Sequence, residues 1–375
     1  MFAELTMFLK ACRTAIADWY RFAVLVLLSA ILITACRSSN PINIERNLPR
    51  STDCRIVEHA VGKSEICGKP QKIAVLEPRL LSMALALDVQ PAAYADAYPV
   101  RLRQFNDPIQ QIPYLGSFVT SQPINLGDRN NLSIESLILL KPDLILGLSS
   151  QENKLFSSIA PTVLIDISTE ERNWQDNIQI VAKALNQEDN IQQVITSHEQ
   201  QLSEARTRLT SIANAYPRVL NIVCSQAMDY IEVQYSGETV RLLEKIGFQP
   251  VLLQDVEQKL GVRPVINLET LSQLDADIMI VHTWLDQWNG DSTYTVPLEA
   301  LRQKWVENPL LHYSRAWKEG RVYFVDYQLW GSVIGGPIAD SLILEKLPQL
   351  LLASTPSAAN TATEHSTPII RKATQ

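Results

Sequence analysis

Two stretches of this chain carry one message, about a domain's length apart. The first reads Leu132-Ser-Ile-Glu135-Ser-Leu-Ile-Leu-Leu-Lys-Pro-Asp143-Leu-Ile-Leu-Gly147, the second Ile266-Asn-Leu-Glu269-Thr-Leu-Ser-Gln-Leu-Asp-Ala-Asp277-Ile-Met-Ile-Val281. Each runs from an apolar residue to Glu, then Ser or Thr, then Leu. A helical turn ending on Leu follows, and an Asp opens a run of apolar strand residues. The copies lie about 134 residues apart, and self-similarity at that interval signals a repeated structural unit. A helix-to-strand unit used once in each half constrains the chain to two similar α/β lobes. Each lobe then places one acidic residue, Glu135 or Glu269, at an equivalent spot. Two symmetric carboxylates set far apart suit docking onto a two-part partner better than catalysis.

The rest of the pattern agrees with two lobes. Strands are predicted over 73–76, 92–95, 144–148 and 163–167 in the first half, with helices over 80–87 and 152–159. The second half gives strands over 218–224, 230–234, 278–281 and 322–325, with helices over 238–246 and 336–350. Such alternation implies mainly parallel sheets with helices on both faces. Between the halves, Ile191, Ile195, His198, Leu202, Ala205, Leu209 and Ile212 recur at spacings of four and three, which is one stripe of a helix. No Pro or Gly interrupts residues 188–213, so this helix would span roughly 35–40 Å and act as a rigid strut. A coiled-coil seam is a weak alternative, because His198 and Ala205 lie in the stripe. The expected organisation is a first lobe over 54–186, the helix over 187–216 and a second lobe over 217–352. Two Rossmann-like lobes are thus joined by one long rigid helix.

The ends read differently. Residues 22–35 are an uncharged, mostly apolar run after Lys10, Arg13 and Arg21, too short for a membrane span and apt for a secretory signal. Met7 is an alternative start. The run closes Ile33-Thr34-Ala35-Cys36, which resembles a bacterial lipobox; by that resemblance residues 1–36 are a signal segment and Cys36 is the lipid-bearing N-terminus after cleavage. Residues 37–53 read as a flexible tether and residues 353–375, rich in Ser, Thr, Ala and Pro, as a disordered tail. Export to an oxidising compartment permits a disulfide between Cys54 and Cys67, which flank a predicted hairpin turn at Gly62. Cys224, in an apolar run, is expected to be a buried small hydrophobe.

Composition narrows the function. At 46 % hydrophobic and 19 % charged, with a net charge of −7, the chain is globular and ill suited to nucleic acid, which demands clustered positive charge. It holds no nucleophile-elbow motif, no phosphate-cradling Gly-rich loop and no His-Glu-x-x-His. The five His residues are scattered without ligand-like spacing. His198 is expected to pack on the long helix, and His282 to pack at the end of a strand. Binding fits better. Ligands of open parallel sheets sit beyond the C-terminal ends of the strands, where this sequence places Arg79, Trp284, Trp288 and Trp330, with Tyr230 and Arg129 as weaker candidates. These make an aromatic-walled cleft with cationic contacts. Arg79 also opens a helix, whose N-terminus favours anions.

Three blocks now carry a family likeness. Residues 131–146, from Asn131 through Glu135 to Lys141-Pro142-Asp143, resemble a characteristic block of periplasmic iron-siderophore and cobalamin binding proteins, the class III solute receptors of ABC transporters. Arg321-Val-Tyr-Phe-Val-Asp326, Trp330 and Gly335-Gly336-Pro337 through Leu347 are similar to that family's closing strand and helix. The long inter-lobe helix is the third. The likeness covers residues 54 to about 350. It implies a receptor that captures a chelate between two nearly rigid lobes and delivers it to a permease dimer. It further implies that Glu135 and Glu269 dock onto permease arginines. Residues 116–131 depart from the family pattern in length. The resulting expectation is a monomeric, lipid-anchored protein of the periplasm or outer face of the bacterial cytoplasmic membrane. Its ligand is a ferric siderophore, with citrate or hydroxamate types favoured by Arg79. It is not an enzyme, has no cofactor, and holds iron only inside the chelate, with no metal bound directly. Cobalamin or haem is the nearest alternative, haem through an axial Tyr230 or His282. An enzyme remnant, a metal-ion carrier using His282 and a sensory protein without solute are more distant ones.

Overall fold

A hairpin opens the fold. In the computed structural model, which describes residues 53–96, 112–149, 153–167, 173–225, 227–235, 237–253, 264–283 and 296–352, β1 (Cys54–His59) pairs antiparallel with β2 (Gly62–Cys67). Gly62 turns the chain at φ +146°, a value that side-chain-bearing residues avoid. Cys54 and Cys67 face each other in register and form a disulfide. Val57 and Ile66 are buried, and Ala60 N–H donates to the Leu164 carbonyl at 3.0 Å, fixing the hairpin to the first lobe.

The first lobe follows in chain order. It contains β3 (Ile73–Val75), α1 (Pro78–Ala86), β4 (Ala93–Asp96), β5 (Ile124–Asp128), β6 (Asn131–Leu132), α2 (Ile134–Leu140), β7 (Leu144–Leu148), α3 (Asn153–Ile159), β8 (Thr162–Ile165) and α4 (Trp174–Leu185). The sheet order is β6-β5-β4-β3-β7-β8, parallel throughout except at the edge pair β5–β6. Residues 116–131, expected to depart from the family pattern, hold a short 3-10 turn (Gly116–Phe118) and the β5–β6 hairpin.

The connecting helix α5 (Ile191–Ala215) runs for 25 residues. Its predicted stripe is the face that packs: Ile191, His198, Ala205 and Leu209 are buried, and Ile195, Leu202 and Ile212 are partly so. The second lobe holds β9 (Arg218–Cys224), β10 (Ile231–Gln234), α6 (Glu238–Ile246), β11 (Gln249–Pro250), β12 (Val265–Ile266), α7 (Leu268–Gln273), β13 (Ile278–Thr283), α8 (Val296–Glu307), β14 (Val322–Asp326), α9 (Tyr327–Trp330) and α10 (Gly336–Leu352). Its sheet runs β12-β10-β9-β13-β14. The β13 and β14 neighbours are parallel, but β10 is antiparallel to both β9 and β12. This sheet is therefore mixed. Six residues separate Cys224 from Ile231, enough for a tight reversal and too few for the crossover that a parallel neighbour requires.

One apolar core is shared by the lobes. It runs from Ile73, Leu80 and Met83 in the first lobe, through Leu209 on α5, to Leu243, Phe248 and Leu344 in the second. The last helix, α10, makes this possible by packing on both α5 and α1. Each fully buried Leu or Ile contributes roughly 1.5–3 kcal/mol, so separating the lobes would expose a continuous apolar seam. Polar contacts lock the same seam. Asp340 on α10 accepts from Trp174 Nε1 at 2.8 Å and lies 3.1 Å from His198 Nε2. Gly336 admits α10 so close to α1 that a Cβ there would meet Ser82 Oγ at 2.9 Å, and its φ of +78° disfavours a side chain regardless of space. Cys36, residues 1–52 and residues 353–375 lie outside the described residues. Among those described, no helix is long and apolar enough to cross a membrane.

Candidate functional site

The repeat builds the same device in each lobe. A short edge strand, β6 or β12, leads into a helix whose N-cap side chain, Ser133 or Asn267, accepts from the backbone N–H three residues on. That cap leaves Glu135 and Glu269 in the first turn, both exposed, where a carboxylate is favoured by the helix dipole. Leu137 and Leu271 are the buried anchors of the two helices. The repeated Asp has a structural duty. Asp143 accepts from the backbone N–H of Lys72, next to β3, at 2.9 Å, and Asp277 from that of Arg218, at the start of β9, at 2.9 Å. Each thereby sets the register of the strand beside it.

The loops at the strand ends form the second candidate site. In the first lobe, β3 ends into Glu77, at the N-cap of α1, and then Arg79. Arg129 lies in the turn between β5 and β6, its backbone N–H donating to the Asp96 carbonyl at 2.8 Å. Glu77 is fully buried, and Arg129 Nη1 donates to its Oε2 at 2.6 Å. Arg79 Nε lies 3.9 Å from Glu77 Oε1 and donates to the Ser332 carbonyl of the second lobe at 2.9 Å. The two arginine side chains keep 24 % and 28 % of their surface exposed, and Arg79 crosses to the second lobe through its bond to Ser332. Beside Arg79, Gly335 packs so tightly that a Cβ would meet Glu238 Oε2 at 2.5 Å. Burial pushes the Glu238 carboxyl above the usual range; repulsion from Asp340 adds to this, while Arg79, the Gly336 N–H and Arg241 oppose it.

On the opposing lobe, Tyr230 donates its hydroxyl to the buried Glu232 carboxylate at 2.9 Å, and Ser225 Oγ donates to Asp229 at 2.6 Å. His282 is buried, 3.1 Å from Asn221 Oδ1, with the Tyr327 ring stacked on it at 5.4 Å. It packs, as does His198. A ligand role for Trp330 does not hold. After β14 the chain turns at once into α9, which points Trp330 inward. The side chain is 3 % exposed in the main core, leaving a solute almost no surface. Trp284 and Trp288 lie outside the described residues. Cys224 is buried as expected, and burial pushes its thiol up.

Arg79 and Arg129 are thus brought to one rim, with Glu77 between them. Sequence reasoning gives Glu77 no role, because nothing at its position marks a residue that will meet Arg129, which becomes a neighbour only once β4 and β5 are stacked beside β3. Its signal is indirect: a Glu followed by Pro directly after a predicted strand.

Two α/β lobes on a shared core, with a strand-end Arg of the first bonded to the second, form the frame of a two-lobed binding protein. The profile of the family described as "Periplasmic binding protein" matches residues 73–329, and the chain belongs to that family. Among curated relatives, it is 27 % identical over 312 residues to the Fe(3+)-citrate-binding protein YfmC of Bacillus subtilis (strain 168), covering 81 % of this chain and 89 % of that protein. It is 24 % identical over 334 residues to the probable siderophore-binding lipoprotein YfiY of the same organism, covering 87 % and 96 %. A similar solved structure is Staphylococcus aureus SirA complexed with staphyloferrin B. Its TM-score is 0.64 at 19 % identity, over 80 % of this chain and 98 % of that one.

Proposed function

We propose that this protein is an extracytoplasmic receptor that captures a ferric siderophore between its lobes and delivers it to an ABC permease. The observation that carries the reading is the pair of guanidinium groups, Arg79 and Arg129, on the rim where strand-end loops of the two lobes meet. Ferric chelates with citrate-type arms carry excess negative charge, and Arg binds carboxylates through two parallel N–H bonds. The names of the relatives, a ferric-citrate binder and a siderophore-binding lipoprotein, support this substrate class. Cobalamin and haem fit less well, since Tyr230 is held by Glu232 and His282 is fully buried.

Around that site we place Trp284 and Trp288 as further lining, Glu135 and Glu269 as the docking pair for a permease dimer, and Cys36 as the lipid anchor. The lipid holds the protein in the periplasm or on the outer face of the bacterial cytoplasmic membrane, where it works as a monomer. Iron arrives as cargo inside the chelate. To test the reading, the full chain in detergent is titrated with ferric citrate, ferric hydroxamate and ferric catecholate siderophores, haem and cobalamin, by Trp fluorescence checked by dialysis. Saturable binding of a ferric siderophore at micromolar affinity or better is the expected result. Binding of haem or cobalamin alone would replace the substrate, and stoichiometric zinc or manganese without a chelator would overturn the reading.

A further inference from the structure

The rim contains a carboxylate to which the reading above gives no part. Glu77 occupies the N-cap of α1, yet its side chain does not cap the helix. It is fully buried. Its Oε2 accepts from Arg129 Nη1 at 2.6 Å, while Oε1 has no hydrogen-bond partner among the described residues. The cation beside Oε1 is Arg79 Nε, at 3.9 Å. Leaving a buried acceptor unsatisfied is unfavourable, and more so for a charged group. Neutral helix-capping residues at this position would avoid that penalty.

We infer that Glu77 is a positioning residue of the solute site: it holds Arg129 and Arg79 as a fixed pair and so sets the preference for anionic, carboxylate-rich chelates. The inference rests on the siderophore reading and deepens it. Two arginines on one rim repel each other, and a mobile Arg side chain holds rotamer entropy that ligand binding would have to remove. A carboxylate buried between them relieves the repulsion and removes part of that freedom in advance. Arg79 is also fixed at Nε by the Ser332 carbonyl, and its Nη groups make no hydrogen bond to any described residue. They remain as donors for a ligand carboxylate. Arg129 is fixed through Nη1. Glu77 thus holds the Arg129 head by a hydrogen bond and acts on Arg79 by charge at 3.9 Å, beside the bond that fixes Arg79 to Ser332.

The test compares an anionic and a neutral chelate, ferric citrate and a charge-neutral ferric trihydroxamate, on the full chain. The variants are Glu77→Gln, Arg129→Gln and the double variant. Wild type is expected to prefer ferric citrate. Glu77→Gln should weaken ferric citrate at least tenfold and change the trihydroxamate by less than about twofold. In the Arg129→Gln background, Glu77→Gln should change ferric citrate by less than about twofold, because its effect passes through the missing arginine. Glu77→Gln also makes the rim more positive, so an unchanged or raised affinity for ferric citrate would sink the positioning role. So would equal losses for both chelates, or an undiminished loss in the Arg129→Gln background. Should Glu77→Gln not fold, Glu77→Asp keeps the charge and withdraws it by one methylene. It is expected to weaken ferric citrate selectively, and an effect equal on both chelates would overturn the idea. A wild type that binds no ferric chelate overturns the siderophore reading itself. Normal wild-type binding with an indifferent Glu77→Gln overturns this inference alone.

Discussion

The two lobes are alike where they were expected to meet a partner and unlike where they were expected to meet a solute. Glu135 and Glu269, Leu137 and Leu271, and Asp143 and Asp277 occupy equivalent places, and each Asp accepts from the backbone N–H at the start of the neighbouring strand. Among the described residues, the strand-end loops share nothing comparable. The first lobe offers Arg79 and Arg129 around a buried Glu77, whereas the second offers Tyr230, Glu232, Ser225 and Tyr327. The sheets behind them differ too, nearly all parallel against mixed. A partner built of two similar subunits demands repetition, while a small asymmetric ligand demands none. The difference is the one that the proposed docking surface and the proposed solute site would each require.

The largest effect expected from that division is on transport. Reversing both repeated glutamates, Glu135→Lys with Glu269→Lys, should abolish uptake in cells while solute affinity in vitro changes by less than about twofold. Paired uptake and binding assays check this, and a large loss of affinity would move these residues into the cleft. The converse holds for Arg79→Ala with Arg129→Ala, which should cost affinity for an anionic chelate and leave docking intact.

Next in size is a stability effect at the residue that sequence position misassigned. Trp330→Ala should destabilise the protein by about 3–5 kcal/mol, as for other large core truncations, measured by denaturant unfolding. Trp330→Phe should lose much less and retain solute affinity. A Trp330→Phe variant of normal stability that loses the solute would return Trp330 to the site.

The error at Trp330 shows where sequence reading stops. A strand end locates a loop, but it does not say whether the chain continues outward or turns into a helix that directs its last side chain to the core. The helix Trp174–Leu185 is hard to read because Gln175, Asp176, Gln179 and Lys183 occupy its outer positions and a polar Asn177 is buried beside Ile178, Val181 and Leu185. The β5–β6 hairpin is hidden because Gly127, Asn130 and nearby prolines give turn signals stronger than a five-residue strand can match. By contrast, the stripe on α5 is legible because its seven packed residues lie within one uninterrupted helix, so local periodicity is sufficient. The Glu77–Arg129 pair is not, because the two residues are separated by 52 positions and meet only through the strand order.

A smaller effect tests whether the repeat is equivalent in energy as well as geometry. Asp143 and Asp277 hold the same backbone position, but Asp143 is exposed and Asp277 is buried and paired with Arg315. Asp277→Ala should therefore cost about 2–3 kcal/mol, since it strips a buried charge partner as well as a backbone bond. Asp143→Ala should cost about 1 kcal/mol, because water replaces its role. Equal losses on denaturant unfolding would mean that burial does not distinguish the two lobes here.

The smallest effect lies at the seam between the lobes and emerges only as a pH dependence. The Glu238 carboxyl is raised above its usual 4.5, first by burial and then by Asp340. Just above the usual value the unfolded chain has released this proton and the folded chain still holds it. Stability therefore falls as pH rises through the window between the unfolded and folded values, and levels off beyond it. Glu238→Gln mimics the protonated form and removes that fall. Its Tm should match wild type near pH 4 and exceed it modestly at pH 7.5. Arg79 opposes the shift by attracting the charged carboxylate. In an Arg79→Gln background the carboxyl is therefore raised further, and the gain from Glu238→Gln at pH 7.5 should grow. A Tm difference that is constant from pH 4 to 7.5 would show that Glu238 titrates alike in the folded and unfolded chains, and that the seam is wetter than its packing implies.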